Sequence, residues 1–413
     1  MENSNKLSQF SQRFAPTEID ALLPMGDDAR AFIAENDFPT TKVERFKYTR
    51  LTKLANAVFE AQKQEVNLEK RHEQICPDSI AIYVVDGEVI LPETSLPSGL
   101  AIDFISSAQN VPNSSIKDVF AALNTLHAQS GVRIKVANNC IIEPVIELVH
   151  VVNSSYAGFT RNHLSVGENA QAKFVLTYVS KHSNTGFSHV HTSIEVAKHA
   201  HVQVEKVQME SAENFSFSDE EVWQDADSVF QINTLTLDGH LVRNDLHIQV
   251  LGEHSETHIN GLYMLNGQQH VANYTTVDHQ VANCQSNELY KGIMDDKSVS
   301  VFNGKVFVRQ DAQKTNAFQS NANVLISEDA SVNSKPELEI YADDVKCSHG
   351  STTGQLDDEA LFYLRARGIS EKGATQLLLT AFMSDVLEKI SVPAVKEKVF
   401  EVINERFNWD LSL

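Results

Sequence analysis

The chain has 413 residues, 42% of them hydrophobic, which is enough for two or three domains with real cores. Its 34 basic and 55 acidic residues leave a net charge of −21, and the Lys and Arg residues form no run, so nucleic acid and anionic membrane are disfavoured as partners. The opening Met-Glu-Asn-Ser-Asn-Lys lacks the layout of a secretion signal, and no apolar run approaches the roughly 18–20 residues of a membrane span, so a cytoplasmic location is expected.

Residues 1–76 read as an N-terminal helical domain. Thr17-Glu-Ile-Asp-Ala-Leu-Leu offers an N-cap before an apolar pair, and Asp27-Asp-Ala-Arg-Ala-Phe-Ile-Ala-Glu repeats the pattern. Val43-Glu-Arg-Phe-Lys-Tyr-Thr-Arg-Leu continues it, followed by an Ala/Glu/Lys-rich stretch to Lys70, and Cys76-Pro77 ends it.

Residues 77–346 read as a β core. Ala81-Ile-Tyr-Val-Val, Ala172-Lys-Phe-Val-Leu-Thr-Tyr-Val-Ser, His189-Val-His-Thr-Ser-Ile-Glu-Val and Val229-Phe-Gln-Ile-Asn-Thr-Leu-Thr-Leu alternate apolar residues with period two. Asp238-Gly239, Asn260-Gly261, Asn266-Gly267 and Asn303-Gly304 read as turns between strands, because Asn-Gly and Asp-Gly reach positive φ cheaply. Many short strands without crossover helices suggest a β-solenoid, with roughly 20–25 residues per coil and on the order of ten coils. On pattern alone a pair of sandwiches fits as well.

Residues 347–413 read as a C-terminal helical module. Leu356-Asp-Asp-Glu-Ala-Leu-Phe-Tyr-Leu-Arg-Ala-Arg carries acids in its first turn and bases in its last, with Gly368 beyond. Ala374–Ile390 follows, with Leu377, Leu378, Ala381, Phe382 and Leu387 as its apolar face, and Pro393 opens a third helix to about Arg406.

Few sequence features carry chemistry. Gly304-Lys305 has Val299 where a P-loop needs its first glycine, so ATP hydrolysis by this chain is not expected. There is no Gly-x-Gly-x-x-Gly, Gly-x-Ser-x-Gly or His-Glu-x-x-His. The four cysteines, Cys76, Cys140, Cys284 and Cys347, are scattered and without a CxxC, as in a reducing cytosol, and the first three read as small buried hydrophobes. Of the 16 histidines, His189/His191 and His199/His201 are i, i+2 pairs, which read as polar residues on the outer face of a sheet. Cys347-Ser-His349 is the candidate metal pair. In an extended strand both side chains take one face, with Cα atoms about 6.5 Å apart, and a thiolate and an imidazole could reach one iron or zinc ion. Two ligands fall short of the usual four, so the pair is either structural or completed from another chain.

Lys335-Pro-Glu-Leu-Glu-Ile-Tyr-Ala-Asp-Asp-Val-Lys-Cys-Ser-His-Gly-Ser-Thr-Thr-Gly-Gln-Leu-Asp, continuing to Leu361-Phe-Tyr-Leu-Arg-Ala-Arg-Gly-Ile, resembles the hallmark of the SufB/SufD family of iron–sulfur cluster assembly proteins. Val301-Phe-Asn-Gly-Lys-Val, Ala312-Gln-Lys-Thr-Asn-Ala-Phe-Gln-Ser-Asn and the N-terminal Glu44-Arg-Phe-Lys-Tyr-Thr-Arg-Leu fit the same family. Lys346-Cys-Ser-His-Gly and the lack of an N-terminal cysteine cluster resemble its D-type branch, against a B-type scaffold that homodimerises.

The resemblance implies a central right-handed parallel β-helix between helical ends. It implies pairing with SufB through the β-helices, with a homodimer when alone. Docking of the SufC ATPase on the C-terminal helices would give one B-type, one D-type and two SufC subunits. Cys347 and His349 are then expected at the SufB interface, as ligands of iron or a nascent iron–sulfur cluster. The chain is expected to be a non-catalytic scaffold, in a complex with which reduced FAD is associated. The runner-up of another class, a secreted β-helix polysaccharide lyase or hydrolase, usually carries paired carboxylates in a groove.

Overall fold

The computed structural model describes residues 6–13, 26–60, 74–92, 94–105, 116–128, 130–180, 185–407 and 409. The helix expected at Thr17 and the stretch from residue 61 to Lys70 lie outside the described residues.

The alternating middle of the chain winds as a parallel β-solenoid of about eight turns, each turn giving one strand to each of two facing sheets. The ten-stranded sheet runs, in spatial order, Lys346–Gly354, Asn316–Leu325, Gln285–Met294, Glu256–Leu265, Val229–Asp238, His201–Met209, Gln171–Ser180, Ile146–Val152, Ile80–Val85 and Glu88–Ile90. The nine-stranded sheet runs Ser331–Ile340, Val299–Val308, His270–His279, Leu241–Val250, Phe215–Gln224, Phe187–Val196, Ala157–Val166, Val132–Val136 and Leu100–Phe104. Among the described residues only Glu88–Ile90 and Leu100–Phe104 pair antiparallel, and both sit at the first end of the stack. The sandwich alternative is thereby excluded.

The coils are longer and fewer than the sequence suggested. Stacked partners such as Asn139 and Asn169 lie 30 residues apart, because most strands run ten residues, so the stack is about 40 Å tall. Two of the four expected turns are strand interior: Asn260-Gly261 lies within Glu256–Leu265 and Asn303-Gly304 within Val299–Val308. Their glycines serve close packing, since a Cβ on Gly261 would strike the Tyr290 ring and one on Gly304 the Gln319 amide. The true corner repeats in Asn139, Asn169, His199, Asp227, His254, Asn283 and Lys314, with φ between 55 and 62°. A small residue follows each of them (Cys140, Ala170, Ala200, Ser228, Ser255, Cys284 and Thr315).

Inside, one side of the lumen is apolar, with Leu164, Phe174, Val204, Ile232, Ile248 and Ile259 fully buried. The other is polar and internally bonded. Lys206 Nζ pairs with Glu220 at 2.7 Å and also donates to Ser218, whose hydroxyl reaches Asn244 at 2.8 Å. Asn244 in turn donates to Asn273 at 2.9 Å.

Helices cover both outer faces. Lys6–Ser11, Gly26–Glu35, Thr52–Asn56 and Val119–His127 pack an aromatic cluster on the nine-stranded sheet, including Phe10, Phe38, Phe46, Phe120, Phe187 and Phe217. Val43–Leu51 is not helical beyond one 3-10 turn at Glu44–Phe46. Tertiary contacts override it: Arg45 pairs with Asp245 at 2.5 Å, and buried Arg243 is sandwiched between the Phe46 and Tyr274 rings at 4.3 and 4.1 Å.

At the other end come Asp358–Ala366, Glu371–Leu387 and Pro393–Phe407. Asp357 caps the first, accepting from Glu359 and Ala360 N–H groups, and Gly368 follows its end at φ 88°. The other two lie on the ten-stranded sheet through Leu379, Met383, Val386, Val395, Val399 and Ile403 against Val207, Leu235, Leu262 and Ile293. The buried face of Glu371–Leu387 is therefore Ala374, Leu379, Met383, Val386 and Leu387, while Leu377 and Ala381 of the expected face are exposed. Residues 347–354 belong to the ten-stranded sheet, and the C-terminal helices begin at Asp358. Among the described residues no helix is long and apolar enough to cross a membrane.

Candidate functional site

Cys347 and His349 stand on Lys346–Gly354, the last strand of the ten-stranded sheet, which is paired along one edge only. Cys347 is the register partner of Ala317 and His349 of Gln319. Ala317 and Gln319 are buried, so Cys347 and His349 share the face that continues the solenoid interior at its open end. Cys347 is half-buried against Val306, Val308, Ala312, Ala342 and Leu338. Burial pushes its thiol pKa up, partly offset by a backbone hydrogen bond from Ala317. A metal ion would displace that proton.

His349 is exposed; on the opposite, outward face of its strand a groove of about 680 Å³ runs past Asn287, Phe318, Ser320, Ser348 and Lys389. Among the described residues no three His, Cys, Asp or Glu side chains come together closely enough to hold a metal ion, so Cys347 and His349 remain a pair. Inside the solenoid, behind that strand, lies a buried polar pair. Glu288 accepts from Thr275 Oγ1 at 2.6 Å and from Gln319 Nε2 at 2.6 Å. Sequence reasoning missed these residues, since nothing local marks a glutamate and a glutamine on strands one coil apart as neighbours.

The other candidates fall elsewhere. Cys76 and Cys284 are buried and Cys140 is half-buried; burial, then Glu147 and Glu205, push the Cys76 thiol up to about 12. His189 and His191 lie on the outer face of the nine-stranded sheet, as expected, but beneath Val119–His127, where Asn124 donates to the His189 carbonyl at 3.0 Å. His191 Nδ1 lies 3.2 Å from Asp219, which Lys117 also engages at 2.7 Å. His199 holds a corner, and His201 is exposed on a sheet face.

Two outward features complete the picture. Ser331–Ile340 and Lys346–Gly354, the final strand of each sheet, leave one backbone edge unpaired. Phe362, Tyr363 and Leu377 are 74, 57 and 51% exposed on the first two C-terminal helices.

These features define a class: parallel β-solenoids, helix-covered on both faces, that carry a Cys/His pair at an open end. The chain belongs to the SufB/SufD family, because residues 150–382 match the family model described as the SufBD core domain of SUF system FeS cluster assembly. It is 32% identical to the iron–sulfur cluster assembly protein SufD of Escherichia coli (strain K12), over 98% of this chain and 97% of that one. It is 26% identical to the chloroplastic protein ABCI7 of Arabidopsis thaliana, over 93% and 86% of the two chains. A SufBD family protein of Synechocystis, slr0076, is 33% identical over 53% of this chain and 49% of that one. The chain is thus a SufD homologue of the iron–sulfur cluster assembly family.

Proposed function

We propose that this chain is a non-catalytic scaffold subunit that pairs end to end with SufB, recruits the SufC ATPase, and offers Cys347 and His349 as ligands for iron or a nascent iron–sulfur cluster at the SufB interface. The observation that carries the reading is the open end. Two parallel sheets stop there with unpaired edges, and a thiol and an imidazole stand on the inward face of the last strand with, among the described residues, no third His, Cys, Asp or Glu gathered to them. A second solenoid docking on those edges would extend the ladders by strand addition and bring the missing ligands.

The C-terminal helices support a separate docking site. They are locked to the sheet by Lys291 Nζ, bonded to the Phe382 carbonyl at 2.6 Å and to Asp385 at 2.5 Å, and by Glu205, which accepts from Ser391 N–H at 2.7 Å. Phe362, Tyr363 and Leu377 stay exposed on the far side, which suits an apolar partner surface. ATP-driven closure of two SufC subunits would pull on these helices as rigid bodies and strain the buried interface, opening Cys347 and His349 to iron. Three functional units are proposed, 1–76, 77–346 and 347–413, with the helices Lys6–Ser11, Gly26–Glu35 and Thr52–Asn56 of the first packed on the nine-stranded sheet. A location in the cytoplasm fits four unpaired cysteines.

Reduced FAD would associate with the assembled complex.

The test is iron–sulfur reconstitution on the co-expressed complex with His349→Ala and Cys347→Ala, with assembly checked by size. Reduced cluster formation in an intact complex supports ligation. Normal cluster formation in both variants would leave this chain a docking scaffold only.

A further inference from the structure

The motif segments around Gly304 and Gln319 carry family resemblance, yet neither residue is a ligand. Gln319 is 3% exposed, and its Nε2 donates to the buried Glu288 carboxylate. That bond fixes which way the amide points. Thr275 Oγ1 donates to one Glu288 oxygen and Gln319 Nε2 to the other, which leaves Oε1 turned away from the carboxyl group. Oε1 is buried and has no hydrogen-bond partner. A buried carbonyl left unpaired costs about 1–3 kcal/mol, so such an atom needs an explanation. The next inward side chain in its column is His349, the register partner of Gln319 on the following strand. Gly304 makes this possible, because any side chain there would collide with the Gln319 amide.

We propose that Gln319, oriented by Glu288 and given room by Gly304, is a positioning residue for His349: its free carbonyl accepts the imidazole N–H and leaves the other ring nitrogen as the lone pair that faces the metal. Histidine ligands are ordinarily held in this way, by an acceptor on the ring nitrogen that does not bind metal. The bond forms when His349 swings inward on taking up a metal ion. The inference rests on reading Cys347 and His349 as a ligand pair.

The test uses Co2+ alone, titrated into the full chain and followed by the thiolate-to-Co2+ absorption that depends on Cys347. Gln319→Leu is expected to weaken Co2+ binding about 10- to 100-fold, and His349→Ala at least as much. The Gln319→Leu/His349→Ala double variant should bind no worse than His349→Ala alone, because one residue acts through the other. A swap series guards against loss of folding in Gln319→Leu. Gln319→Glu sets two carboxyl groups against each other and breaks the pair, while Gln319→Glu with Glu288→Gln rebuilds it reversed and should recover binding to within about threefold of wild type.

Wild-type affinity in Gln319→Leu beside impaired His349→Ala would overturn the positioning role and leave the ligand reading standing. So would independent, multiplying losses in the double variant, or a folded swap variant that stays weak. Unchanged binding in His349→Ala would instead sink the ligand pair, and the relay with it.

Discussion

Lys206 and Glu220 are both buried inside the solenoid, and their attraction offsets a desolvation cost of several kcal/mol per ion. Lys206→Ala should therefore lose about 3–5 kcal/mol in urea unfolding, because it strands the Glu220 carboxylate, while Lys206→Met with Glu220→Leu should lose much less. A single methyl group is felt as strongly where glycine was chosen for contact. Gly261→Ala would drive a Cβ into the buried Tyr290 ring, and a loss of about 1–3 kcal/mol is expected by the same measurement. His349 and Cys347 behave oppositely. They are exposed or half-buried at an edge, so their alanine variants should fold normally and show their effect in cluster formation.

Among the elements, Glu371–Leu387 has two apolar sides with different fates. Met383 is fully buried against the ten-stranded sheet, and Met383→Ala should cost about 2–5 kcal/mol of stability. Leu377 on the other side, with Phe362 on the helix before it, is exposed, so Leu377→Ser and Phe362→Ser should stay within about 0.5 kcal/mol of wild type. The same two variants should weaken SufC capture, measured by co-purification. Full capture by both would place the docking surface elsewhere. The final strand, Lys346–Gly354, is an element with one partner. Proline at Ser351, which faces inward toward Ser334 at 2.8 Å, should impair pairing with a second solenoid more than it impairs folding.

Across the whole molecule, burial of histidine sets an acid limit. His127, His270 and His279 are held at about 4, and His150 and His189 at about 3, in each case mainly by burial. In the unfolded chain each returns to about 6.5, so below that pH the unfolded state binds more protons and stability falls as pH falls. Glu210 and Glu288 oppose this, because burial raises both to about 7 and the native state then holds protons that the unfolded chain releases. His163, His191 and His240 are lowered as well, and Glu205, Glu220 and Asp238 raised, so lowered imidazoles outnumber raised carboxyls and the unfolded state binds the more protons between roughly pH 6.5 and 4.5. The urea midpoint should therefore drop steadily across that window; a flat profile would contradict the buried neutral imidazoles.

The sequence by itself determined the strand-rich middle and the helical end, because two-residue and 3.6-residue apolar periods and helix caps are local. It also determined that Cys347 and His349 share a face, because i and i+2 on a strand always do. The helix at Asp358–Ala366 could be read from Asp357 and Gly368 for the same reason. Only the tertiary structure decided the rest. The length of a coil, the strand setting of Asn260-Gly261 and Asn303-Gly304, the burial of His189 and His191 under a helix, and the buried side of Glu371–Leu387 all depend on stacking. Val43–Leu51 gave up its helical pattern to the Arg45, Phe46 and Arg243 contacts. The buried Glu288–Gln319 pair in the inward column of His349 is the same kind of fact. In a solenoid the residues that touch lie about thirty positions apart, on neighbouring coils, and no local period in the chain records which of them meet.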